Sequence, residues 1–69
     1  MDEVMYGKQR AAFQSEKTQV FDNLSDVLRA FRDSDYKFAR LAASAMVGHL
    51  SNMEMCRETI KDVLDKDFE

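Results

Sequence analysis

Proline is absent from this 69-residue chain, and glycine occurs only twice, as Gly7 and Gly48. Sheet proteins punctuate their turns with both, and neither glycine stands in a hairpin-like pair, so the sequence argues against a β fold. A single cysteine, Cys56, permits no internal disulfide, and a lone thiol suits a reducing compartment such as the cytoplasm. No apolar run approaches the roughly 18 residues that a bilayer crossing requires. The opening Met1-Asp2-Glu3-Val4 lacks the basic start and apolar stretch of a secretory signal. An excess of positive charge is also lacking: ten Lys and Arg against thirteen Asp and Glu leave a net charge of −3, which argues against a general affinity for phosphate backbones or anionic lipid.

What is present is a balanced composition, 45% hydrophobic and 33% charged, which fits one small folded domain. Helical spacing is clear. Val20, Phe21, Leu24, Val27, Leu28 and Phe31 recur at three, four and seven residues, and Tyr6 and Phe13 extend the series backward. At about 100° per residue these positions share one arc, with Asp22, Asp26, Arg29 and Asp33 opposite. A helix over about 3–32 follows, capped by Asp2. Residues 1–14 could also form a separate or frayed helical segment, with Ser15 as the cap of a shorter helix.

The Asp33-Ser34-Asp35 run is the one break. Asp and Ser compete with the helical ladder through local side-chain bonds, so three together serve as turn and N-cap. A second helix over about 35–66 carries Phe38, Leu41, Ala42, Ala45, Met53, Cys56, Ile60, Val63 and Leu64 as its apolar stripe. So short a connection makes the helices antiparallel neighbours. The expected fold is all-α, a two-helix hairpin.

A lone hairpin of this size buries little. Ordering it costs roughly 1.5 kcal/mol per residue, and no disulfide offsets that cost. The second helix is apolar on more than one side: Ala43, Val47 and Leu50 point away from the Phe38/Ala45/Cys56 stripe. A helix apolar on two sides is buried on two sides. The expectation is a homodimer forming a four-helix bundle through Leu41, Ala45, Met46, Leu50 and Met53, with Ala43 and Val47 as a second face.

Chemistry-bearing residues are sparse. His49, Met53 and Cys56, with Met46 one turn earlier, lie along one side of the second helix and are soft-metal ligand types. Met and Cys are equally ordinary core fillers, and one histidine is too few for a usual zinc site, so no metal and no cofactor are expected. Cys56 lies two turns from His49 and far from a helix N-terminus, a poor setting for a nucleophile. No phosphate loop, zinc spacing or hydrolase constellation is present, and no enzyme activity is expected. Arg29, Arg32, Lys37 and Arg40 gather at the hairpin tip and could touch nucleic acid, but Asp26, Asp33 and Asp35 are interleaved with them. The closing Ile60-Lys61-Asp62-Val63-Leu64 resembles the last helix of type III secretion needle subunits. The proline-containing turn of those hairpins is absent here, and no role is carried over.

These features together point to a non-catalytic protein–protein interaction module, an adaptor, inhibitor or regulator working as a homo-oligomer. The alternatives are a nucleic-acid-associated regulator using the basic tip, or a subunit of a larger helical assembly.

Overall fold

The computed structural model describes residues 2–65, all of them helical apart from the tip turn and the last two residues. Helix α1 runs Asp2–Arg32 and helix α2 runs Tyr36–Glu58, passing into a five-residue π-helical turn, Thr59–Val63. The two helices pack against each other as a hairpin with extents of 48 × 15 × 14 Å. Helix α1 continues through Gly7 without a break.

The tip forms where the Asp33-Ser34-Asp35 run predicts it. Asp35 N–H donates to the Ala30 carbonyl at 2.8 Å, and Ser34 N–H donates to the Phe31 carbonyl at 3.1 Å. With Ser34 at φ 58°, this is the Schellman arrangement, which satisfies the last carbonyls of α1. Asp35 then starts α2: its Oδ1 accepts from Phe38 N–H at 3.1 Å, an N-cap bond. One residue thus ends the first helix and begins the second.

The seam between the helices is narrow, built from alanines near the tip and from larger apolar side chains toward the open end. Phe13, Ala30, Ala39, Ala42, Ile60 and Leu64 are its buried apolar residues, and Ile60 is fully enclosed. Val20, Asn23 and Val27 on α1, and Met46, His49, Met53 and Cys56 on α2, are half-buried along the same line. On α2 the inward positions 39, 42, 46, 49, 53 and 56 alternate three and four residues apart, the spacing of a coiled-coil seam. The π turn then inserts a residue. Leu64 faces in and Val63 stands out in solvent, although both belong to the expected stripe.

Two further parts of that stripe turn outward. On α1 Phe13, Val20 and Val27 point toward α2, whereas Phe21, Leu24, Leu28 and Phe31 are exposed. On α2 Phe38, Leu41 and Ala45 are exposed, and Ala39, not assigned from the sequence, takes the inward place. The reason is distance. Alanines at positions 30, 39 and 42 let the helix backbones approach at the tip, where a row of Leu and Phe would hold them apart. The second helix is expected to run to residue 66, but helical structure ends at Val63, with Leu64 as the C-cap and Asp65 at φ 51°; residues 66–69 lie outside the described residues.

Candidate protein-binding face

The bulky apolar residues that the seam excludes are not scattered. Phe21, Leu24, Leu28 and Phe31 follow one another at three, four and three residues, a second coiled-coil strip on α1, turned roughly 100° from the first. On α2, Ala43, Val47 and Leu50 make the matching strip, and Tyr36 heads it. The Phe31 and Tyr36 rings join the two strips at the tip, in edge-to-face contact with centroids 5.9 Å apart. Because the helices run antiparallel, Phe21 lies level with Val47 and Phe31 with Tyr36. Together they make one apolar face over the tip half of the hairpin.

Its exposure is the decisive quantity. Phe21 is 58% exposed, Leu28 63%, Phe31 58%, Tyr36 63% and Val47 64%. Solvent-facing phenylalanine and leucine in isolation are common, whereas here they form a contiguous exposed row across two helices.

The residues expected at a subunit interface fall into three groups. Ala43, Val47 and Leu50 lie on this face. Leu41 and Ala45 are exposed on the opposite edge of α2, with Phe38. Met46 and Met53 are half-buried in the chain's own seam. The aromatic and leucine half, Phe21, Leu24, Leu28, Phe31 and Tyr36, was missing from the sequence-derived set. Its signal was available in the three-four-three spacing, offset by one residue from the Val20/Val27 row.

A polar cluster interrupts the seam at mid-length. His49 Nδ1 contacts Glu16 Oε2, and Asn52 Nδ2 donates to Glu16 Oε1 at 3.2 Å, so one carboxylate ties α2 to α1 at two points. Both His49 and Glu16 keep partial solvent access. Burial, and then the nearby Glu16 carboxylate, push the Cys56 thiol above its ordinary value of 9.0. A thiol held protonated in this way is the reverse of an activated nucleophile. Nearer the tip, the Asn23 side-chain amide nitrogen is buried without a hydrogen-bond partner, which costs about 1–3 kcal/mol. Among the described residues no three His, Cys, Asp or Glu side chains converge to hold a metal ion.

The basic residues at the tip are placed among acids. Arg29 lies 3.8 Å from Asp26, and Arg32 lies 3.6 Å from Asp33. Both arginines stand in the last turn of α1, where positive charge complements the helix dipole. Lys37 and Arg40 are exposed on the first turns of α2. No helix among the described residues is long and apolar enough to cross a membrane. Compared with known proteins, the chain matches no family model, no curated protein and no solved structure.

Proposed function

We propose that this chain is a small, non-catalytic protein–protein interaction module that works as a homodimer. Two hairpins meet through the Phe31–Tyr36 face to make a four-helix bundle, and the dimer serves a cytoplasmic partner as adaptor, inhibitor or regulator. The observation that carries this reading is the pair of seams on each helix. One strip at coiled-coil spacing is used within the hairpin, and a second, bulkier strip has no cover. A bundle helix needs two such strips, because it contacts two neighbours.

Magnitudes favour a second copy as the cover. Seven large side chains, each roughly half exposed, offer on the order of 100 Å² apiece. That approaches the ~800 Å² that each partner contributes to a standard interface. A face that repeats across a two-fold axis also closes the assembly, leaving no strip open. The hairpin itself needs the contribution, since among the described residues half of the buried apolar ones are alanines and alanine burial stabilises little.

Light scattering on the purified protein tests the proposal. The expected mass is that of two chains at micromolar concentration, and Leu28→Asp should reduce it to one. A cooperatively folded monomer overturns the reading. Mass that keeps growing with concentration replaces the closed dimer with an open assembly.

A further inference from the structure

The apolar residues of the two helices share a pattern that the hairpin does not fully use. If the helical count of about 100° per residue is carried straight through the tip, Phe13, Val20, Leu24 and Leu28 fall on one line with Phe38, Ala42, Met46 and Met53. The line is symmetric about Asp33: Phe13 and Met53 are equally far from it, as are Val20 and Met46, Leu24 and Ala42, and Leu28 and Phe38. The outer two pairs lie in the hairpin seam. The inner ones are split, because Leu24, Leu28 and Phe38 are exposed while the close backbones at the tip enclose Ala30, Ala39 and Ala42. The turn that breaks the line is slight. Asp33 N–H still makes the helical bond to the Arg29 carbonyl at 3.1 Å, and only Ser34, at φ 58°, and Asp35, at φ −93° and ψ 79°, leave helical geometry. Neither is glycine or proline, so both can enter a helix, and doing so relieves the left-handed serine while giving up the Asp35 cap.

We infer that the chain has a second folded form, in which the tip straightens and one continuous helix pairs antiparallel with a second copy along this line. The two-fold axis passes between the two Asp33 residues. Leu28 then packs on Phe38 of the second copy and Leu24 on its Ala42, and no turn holds the backbones too close for such side chains. Farther out, Val20 and Phe13 meet Met46 and Met53 of the second copy, the same levels that they share within the hairpin, so the seam is rebuilt between chains. The Glu16 tie to His49 and Asn52 passes between chains in the same way. Asp35 is the polar member at the centre of the line, opposite Phe31 of the second copy. Tyr36, Val47 and Leu50 stay outside, so each form covers residues that the other exposes. Straightening lengthens the molecule from 48 Å to about 90 Å, at 1.5 Å per residue. Both forms contain two chains, so the inference goes beyond the dimer reading, which concerns the hairpin alone.

Distances within one chain test it. Ser15 and Ser51 are exposed on the two helices, so Ser15→Cys and Ser51→Cys in a Cys56→Ser background carry a pair of spin labels without touching the line. The labelled full-length chain is diluted into excess unlabelled protein, so that pulsed electron resonance reads a single chain. The hairpin should give about 20 Å and the straight helix about 55 Å, and both distances are expected. Ser34→Ala, which favours helix over a left-handed turn, should raise the long population roughly fivefold, and Ser34→Gly should lower it by a similar factor. Phe38→Ala removes a side chain that is exposed in the hairpin and should cut the long population at least tenfold. A long population indifferent to Phe38→Ala overturns the inference. So does the short distance alone in every variant, and a two-chain mass by light scattering then leaves the hairpin dimer standing. A single-chain mass overturns both.

Discussion

Over the tip half of the hairpin the seam and the Phe31–Tyr36 face are drawn from the same two helices at the same three-four spacing, yet they are built from different materials. The inside there has three alanines, half-buried Val20, Val27 and Met46, and an asparagine with an orphaned amide, while the large buried residues Phe13, Ile60 and Leu64 lie toward the open end beyond Glu16 and His49. The outside has phenylalanine, leucine, tyrosine and valine at more than 40% exposure. In a self-sufficient domain the larger apolar groups go to the centre, because burial stabilises in proportion to area. Here the inner contact sets how closely and in what register the helices lie. The outer strip holds most of the apolar area still available for burial. Small and polar residues inside give specificity of pairing at a cost in stability, and in the proposed dimer the bulk outside is what offsets that cost.

The largest effect that would break this contrast comes from the outer strip. Leu28→Asp should lower the stability of the unmutated dimer by about 3 kcal/mol, which for a chain this small is roughly 15 °C in melting temperature. Thermal melts at several protein concentrations check it. The unmutated protein should melt higher as concentration rises, and the variant should not. If both melt independently of concentration, the outer strip contributes nothing and the contrast fails.

A paired enlargement sharpens it. Ala42 is buried in the seam and Ala43 lies one step round on the outer face. Ala42→Leu adds hydrophobic bulk where the backbones are close, and overpacking should destabilise by about 1–3 kcal/mol. Ala43→Leu adds the same bulk where a second chain can accommodate it, and should leave stability unchanged or raise it. Denaturant midpoints measure both. Equal losses would mean that the two surfaces are packed alike.

A smaller gain is expected at the tip. Ser34 sits at φ 58°, a conformation glycine adopts without strain. Ser34→Gly should stabilise the hairpin by about 1 kcal/mol, with no change in mass.

The smallest effect is chemical. The Cys56 thiol is raised, first by burial and then by Glu16, so its alkylation by iodoacetamide should accelerate only above the pH at which a free thiol reacts. Glu16→Gln removes the neighbouring charge and should move that profile to lower pH, while burial keeps it from returning fully. The sign for stability follows the same shift. A thiol whose folded value is raised contributes fully below its unfolded value of 9.0, and that contribution is lost as pH climbs through the folded one.

Much of the fold is legible along the chain. Asp33-Ser34-Asp35 announces the turn through side chains that bond locally, and Asp35 performs the capping that its type and position imply. The absence of proline and the three-four recurrence of apolar residues carry the two helices. The candidate face is legible only in part. Val47, Leu50 and Ala43 stand out because they fall off the main stripe of the second helix. Phe21, Leu24, Leu28 and Phe31 do not, because they merge with Val20 and Val27 into one arc of a helical wheel. The extra residue of the π turn, which exchanges Val63 for Leu64, has no local signal in Thr59-Ile60-Lys61-Asp62-Val63 at all.

Local chemistry therefore determined that this chain is helical, where it turns, and that the second helix has more apolar surface than one neighbour can cover. Capping, turn formation and periodicity act over a few residues, and so they can be read in order. Which strip faces inward was decided only in the tertiary structure. Two strips of equal period compete for the same neighbour, and the choice depends on how near Ala30, Ala39 and Ala42 allow two backbones to come. That distance belongs to the pair of helices and is encoded in neither one alone.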